Sequence, residues 1–206
     1  IGKNDYYNII TAIAKGANKS TRHIPIPERT ANSEFDSYNY SLKGSMYRKI
    51  LFDNGFDIVP EMGARYSINQ VEDYQETGAG LFNLNVKTDN LQMLSGIVSI
   101  AAGVKKKLKS FRFGNISTKS LIIYPKIKLS YEYDFLQDMQ ASTSNFEGYD
   151  LSFTTKSTRT DPSTLRISFG TEVFESEDLS FNLKYVQERK SSYISHSAIL
   201  ESRISF

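Results

Sequence analysis

Residues able to do chemistry are sparse in this chain. Two carboxylate clusters stand out. They are "VEDYQE", with Glu72, Asp73 and Glu76, and "ESED", with Glu175, Glu177 and Asp178. Paired carboxylates serve as acid and base when their surroundings push their pKa values apart. Both clusters fall where the hydrophobic pattern breaks, so they read as solvated turns. The two histidines, His23 and His196, lie far apart in sequence, and cysteine is absent. Zinc sites gather three or four N or S ligands, so no metal centre is expected. Disulfides and thiolate chemistry are ruled out. No nucleophile motif and no Gly-rich phosphate loop is present. The sequence therefore predicts no enzyme and no cofactor. A net charge of only +2 gives no general case for nucleic-acid binding.

What does organise the chain is alternation. In "LIIYPKIKLSYEYDF" (121–135) the odd positions are Leu121, Ile123, Pro125, Ile127, Leu129, Tyr131, Tyr133 and Phe135. The even positions carry Lys126, Lys128, Ser130, Glu132 and Asp134. Only a strand separates these residues into two faces. "LRISFGTEV" sets Leu165, Ile167 and Phe169 against Arg166 and Glu172. "LSFNLKY" sets Phe181, Leu183 and Tyr185 against Asn182 and Lys184. "PEMGARYSI" sets Met62 and Tyr66 against Glu61 and Arg65, and "SYNYSLKGSM" sets Tyr40 and Leu42 against Ser41 and Lys43. The last stretch, "SHSAILESRISF", sets Ala198, Leu200, Ile204 and Phe206 against Glu201 and Arg203. Ten strands are predicted, near 6–17, 36–51, 56–70, 74–88, 92–106, 119–136, 146–157, 163–174, 179–189 and 193–206.

Alternation alone fits a soluble sandwich, with the polar face outward. Three features favour a sheet whose apolar face meets lipid. The strands run well beyond the ~5–6 residues usual in soluble proteins. Aromatic residues collect near strand ends, as in the girdles of outer-membrane barrels. The connections also alternate in length. Short turns at 52–55, 88–90 and 175–178 are expected at one end, that of the C-terminus. Longer loops at 18–35, 70–76, 106–118 and 157–162 are expected at the other. The connection 137–145 breaks that rule. No segment is long and apolar enough for a spanning helix, and no secretory leader opens the chain. The expected fold is an all-β, antiparallel, up-and-down transmembrane β-barrel. Its lipid-facing and girdle residues would be Tyr40, Tyr66, Tyr131, Tyr133, Phe135, Phe169, Phe181, Leu183 and Tyr185. Its lumen-facing residues would be Glu61, Arg65, Lys126, Lys128, Glu132, Arg166, Glu172, Lys184, Glu201 and Arg203.

The run "VPEMGARYSINQVEDYQETGAGLFNLNVKTDNLQMLSGIVSIAAGV" resembles part of the C-terminal translocator domain of classical type V autotransporters. "YPKIKLSYEYDF" and the stretch from "LRISFGTEV" to Phe206 are similar to its later strands. The resemblance covers roughly 36–206. It implies a bacterial outer-membrane barrel that secretes or displays an N-terminal passenger, with no catalysis of its own. It implies twelve strands with a helix threaded through the lumen. Residues 1–206 would then be an N-terminally truncated barrel domain, its first strands, linker helix and passenger lying upstream. It implies that "ILESRISF" is an assembly signal, carried by Phe206, Ile204, Leu200 and Ala198, with Ser202 departing from the usual apolar series. The implied partners are outer-membrane lipid and lipopolysaccharide, the barrel-assembly machinery, periplasmic chaperones and the chain's own passenger. The domain would act as a monomer with its C-terminus at the periplasmic side. Some autotransporters cleave their passenger with lumen-facing carboxylates, and no residue here can be assigned to that step. The basic run "KKKLKSFR" (105–112), expected in an outer loop, reads either as a dock for anionic surfaces or as a solvated loop. "RHIPIPERT" (22–30) reads as a mobile Pro-rich outer loop. The alternative is another outer-membrane barrel, porin or adhesin-type, without a passenger.

Overall fold

The computed structural model describes residues 4–109, 112–113, 116–117, 120–149, 151–158, 161–174 and 179–204. Along the chain come β1 (Asp5–Pro25), β2 (Glu28–Arg48), β3 (Ile50–Leu51), β4 (Phe56–Val71) and β5 (Tyr74–Gln75). A single 3-10 turn at Gly80–Phe82 leads to β6 (Leu84–Thr88), β7 (Leu91–Val104) and β8 (Lys106–Lys109). Then follow β9 (Arg112–Phe113), β10 (Ile116–Ser117), β11 (Ser120–Asp134), β12 (Ala141–Phe146) and β13 (Ser152–Lys156). The chain closes with β14 (Ser163–Phe174), β15 (Leu179–Arg189) and β16 (Ile194–Ile204).

The long strands form one curled antiparallel sheet in the order β1-β2-β4-β7-β11-β14-β15-β16, with β3 and β8 as short extensions. Each strand pairs with its predecessor in that order, as an up-and-down topology requires. A second, four-stranded sheet, β13-β12-β6-β5, sits at the end away from β16's C-terminal residue.

Burial in the main sheet is inverted relative to a soluble protein. Met62 is 54 % exposed and Leu42 51 %, whereas Glu132 is 7 % exposed and Asp57 1 %. Polar groups line the inside of the curl, and apolar groups cover the outside. Lipid stabilises that arrangement, because it leaves the apolar face unhydrated, and the ladders within the sheet are paired as a lipid setting requires. The outer face of β1 and β2 shows the height of the band. Below, Arg48 holds Asp5 through two hydrogen bonds of 2.5 and 2.9 Å. Above, Lys15 pairs with Asp36 and lies 5.6 Å over the Tyr38 ring. Between them the outer residues are Tyr7, Ile9, Thr11 and Ile13, opposite Met46, Gly44, Leu42 and Tyr40. The span from Asp5 to Lys15 is about 33 Å of strand at ~3.3 Å per residue. At a tilt near 45° that is ~23 Å of height, close to the ~25 Å band of outer-membrane barrels.

Several expectations are corrected. Residues 74–88 and 146–157 are not strands of the wall. They supply β5, β6, the end of β12 and β13, all in the second sheet. The wall thus has eight long strands among the described residues, not ten. The turn at 88–90 joins β6 to β7 at the end opposite the C-terminus. The connection 137–145 is no exception, because it belongs to the long excursion between β11 and β14 at that same end. The basic run moves the other way. Lys105–Lys109 follow the last residue of β7 at the C-terminal end. Residues 18–35 are not a loop. They continue β1 and β2 through a two-residue turn at Ile26–Pro27, so "RHIPIPERT" is the tip of a hairpin. The turn 52–55 stays as expected, with Gly55 at φ +78°, a conformation that side chains strain. Residues 175–178 lie outside the described residues.

Candidate functional site

The inward face of the sheet gathers most of the charged side chains named from the sequence. Glu61 on β4 is the centre of one group. Its carboxylate accepts from Lys43 Nζ at 2.8 Å, Lys128 Nζ at 2.5 Å and Ser99 Oγ at 3.1 Å. Lys128 stands on β11, two strands away. It reaches Glu61 over β7, where Ser99 and Ala101 leave room.

Glu132 on β11 is the centre of a second group. Arg65 Nη1 donates to Oε1 at 3.2 Å and Arg166 Nη1 to Oε2 at 2.5 Å. Arg166 Nε also donates to Glu188 at 2.5 Å, and Tyr193 Oη donates to the other Glu188 oxygen at 2.7 Å. The chain of contacts therefore runs from β4 to the β15–β16 turn.

A third group lies at the C-terminal end. Tyr124 Oη sits 2.6 Å from both oxygens of the buried Asp57, and Lys49 Nζ is 3.1 Å from one of them. Tyr124 can lie flat there because Gly103 faces it. A Cβ on Gly103 would be 2.5 Å from the ring. Lys126 pairs with Glu172 at 2.5 Å. Lys184 follows Lys126 in the same cross-strand row, with Gly170 between them. Glu201 accepts from Asn182 at 2.8 Å, and Arg203 stands opposite Ser180.

The outward face carries Tyr40, Tyr66, Tyr131, Phe169, Phe181, Leu183 and Tyr185, each more than a third exposed. Tyr133 stacks edge-on with Phe135, whose ring lies against Gly96. Tyr66 Oη also donates to Gln92 at 2.7 Å. In β16, Leu200 lies opposite Leu183 and Ala198 opposite Tyr185, and Ile204 is 61 % exposed. Phe206 lies outside the described residues.

Two features escaped the sequence reading. The first is the Asp57–Tyr124–Lys49 group, whose one signal was Tyr124 at an even position in an otherwise charged series. The second is a clamp beyond the membrane band. Glu76 is no solvated turn residue. It is 7 % exposed, and Arg22 grips both its oxygens at 2.9 and 2.5 Å. Leu84 N donates to it at 2.9 Å, and Arg22 donates onward to the Phe82 carbonyl at 2.7 Å. This clamp joins the long β1–β2 hairpin to the second sheet, helped by the Phe35–Tyr74 stack at 4.3 Å. Of the two histidines, His23 contacts Thr30 and His196 contacts Tyr185, on separate hairpins.

The chemistry of this wall is electrostatic. Charges of both signs are held in fixed places along a polar face, and apolar residues face the membrane. The model of the autotransporter beta-domain family matches residues 5–186. The chain belongs to the autotransporter beta-domain family. It is thus an outer-membrane translocator β-barrel that mediates secretion of a passenger segment. Comparison with curated proteins gives no match.

Proposed function

We propose that this autotransporter barrel stands with the end carrying its C-terminus toward the periplasm, and that the charged inner wall is the surface along which the passenger moves outward. The observation that carries this orientation is the unequal bulk of the two ends. The β1–β2 hairpin and the four-stranded sheet project from the end opposite the C-terminus, while at the other end residues 52–55 make a tight turn and the β7–β11 connection, 105–119, is the one longer link among the described residues. Short periplasmic turns and long outer loops are the rule for such barrels.

Glu61, Arg65, Lys126, Lys128, Glu132, Arg166, Glu172, Lys184, Glu201 and Arg203 are assigned to that wall. The ion pairs among them keep it polar and wet, as suits a surface that a peptide moves along. The apolar outer face takes lipid, including lipopolysaccharide in the outer leaflet. β1 and β16 are the two edges of the sheet, unpaired with each other among the described residues. An edge open to lipid strands its backbone groups, which supports a complete barrel with further strands against both edges.

β16 with Phe206 is assigned as the assembly signal, read by the barrel-assembly machinery after periplasmic chaperones deliver the chain. Its exposed edge is suited to strand addition. The test is removal of Phe206, or Phe206→Ser, in the full chain. Both variants should lose outer-membrane assembly, scored by heat-modifiable mobility, and surface display of the passenger, scored by protease shaving. Normal assembly and display of both would reject the signal.

A further inference from the structure

We propose that the C-terminal end of the inner wall is a binding site for a carboxylate-bearing peptide segment. This rests on the reading that a peptide passes along that wall. The site is a cavity of about 590 Å³. Five lysines line it, Lys49, Lys105, Lys126, Lys128 and Lys184, against two lining carboxylates, Asp57 and Glu172.

The carboxylates are already committed. Asp57 is 1 % exposed and holds Tyr124 and Lys49. Glu172 holds Lys126. Glu61, the partner of Lys128 just outside the cavity, is shared with Lys43. Lys184 makes no ion pair among the described residues. The ammonium groups are also focused. Lys49, Lys105 and Lys126 stand 5.5, 5.5 and 4.4 Å from the centre of one ring, that of Tyr124. Gly103 seats that ring, and Gly170, which lies between Lys126 and Lys184 in the cross-strand row, puts no side chain between them; a Cβ there would already meet the Leu183 carbonyl oxygen at 3.0 Å. A carboxylate entering the cavity meets a wall that carries both Lys126 and Lys184.

The occupant is a peptide rather than a lipid because the cavity opens on the polar face, away from the apolar band. Lysine suits passing contacts. Its ammonium is a strongly hydrated point charge on a flexible stem, without the fixed fork by which arginine locks a carboxylate. Salt weakens such contacts.

Outer-membrane preparations from cells making the full chain test the site. They are treated with a carbodiimide, with and without hexaglutamate, and the linked peptides are mapped by mass spectrometry. The expected result is an amide link from Lys184 or Lys126 to a carboxylate of the same chain outside the barrel wall, or to hexaglutamate. Glutamine offers no amine to the activated carboxylate, so the variants are read at the lysines they keep: the yield of links at Lys49, Lys105 and Lys128 should fall about fivefold or more in K126Q/K184Q and in high salt, and stay unchanged in Lys19→Gln. Lys184→Gln breaks no ion pair among the described residues, so it carries the test if the double variant fails to assemble. Links confined to pairs within the wall, or equal yields in the variants, overturn the site. Protease shaving of the wild type runs alongside. An undisplayed passenger counts against the translocator reading, and display without links counts only against this site.

Discussion

Arg65 and Glu132 meet at 3.2 Å although the whole of β7 runs between their strands. Neighbouring strands stand ~4.8 Å apart, so these two backbones are separated by about twice that. The contact forms because the sheet curls toward its charged face and because Ser95, beside Arg65, is small. Curvature and ion pairing are therefore one feature of the wall. A flat sheet would point these side chains apart.

Removing the shared acceptor tests this. Glu132→Ala leaves two guanidinium groups on the inner wall without their common carboxylate. Stranding one member of a buried pair costs ~3–5 kcal/mol. With a wet lumen to rehydrate the arginines, the loss here should be about 2 kcal/mol. Urea unfolding of the refolded full chain in lipid vesicles should show it. Lys19→Ala, which breaks an exposed pair with Glu34, should leave the midpoint in place.

The two faces of β15 give a second test. Leu183 is 55 % exposed on the outer face, opposite Leu200, and Lys184 points inward. Leu183→Arg places a cation against lipid, at ~2–4 kcal/mol near the midplane. Lys184→Leu exchanges a polar wall group for an apolar one and should cost far less. Comparison of the inserted fractions decides it, and equal losses would reject the assigned faces.

Much of this was legible because a strand's alternation is strict. "LIIYPKIKLSYEYDF" named both faces of β11 without any structure. Alternation does not say which sheet a strand joins. Residues 74–88 carry the same pattern, with Val86 buried, yet they pair with β12 beyond the membrane band. Counting them as a wall strand reversed the direction of the next two, and so put 105–112 at the wrong end. Counting 146–157 as another restored the direction and left 137–145 as a false exception. Residues 18–35 were missed for the opposite reason. One face of that hairpin is wet and the other is covered by the second sheet through Ala31, Ser33 and Arg22, small or polar residues, so a strand there shows no hydrophobic period. The Arg22–Glu76 clamp joins positions 54 apart in sequence and has no local signal.

The loops at the far end carry a pH dependence. Asp161 accepts from Ser163 N at 2.9 Å, Ser163 Oγ at 2.8 Å and Ser191 N at 3.0 Å. These donors hold its carboxyl well below the usual carboxylate range. A depressed folded-state value means that the pin is at full strength above the unfolded value of ~3.9 and weakens as pH falls below it. Limited proteolysis near Asp161 and Ser191 should therefore speed up in mild acid below about pH 4. Asp161→Asn, which does not titrate, should flatten that dependence. An unchanged profile in the variant would show that another group is responsible.

Gly103 and Tyr124 supply the last test, because one residue's missing atom is the other's seat. A Cβ at position 103 would fall 2.5 Å from the Tyr124 ring. Gly103→Val must then push the ring away from Asp57, whose carboxylate is 1 % exposed and depends on that hydroxyl and on Lys49. Overpacking costs ~1–3 kcal/mol, and a weakened bond to a buried charge adds to it. Tyr124→Ala alone also destabilises, by stripping Asp57 of its donor. In the Tyr124→Ala background the valine has nothing to strike, so Gly103→Val should then cost little. A double-mutant cycle on unfolding free energies should give a coupling of about 1–2 kcal/mol. Additive losses would mean that Tyr124 is not held by the absence of a side chain at Gly103.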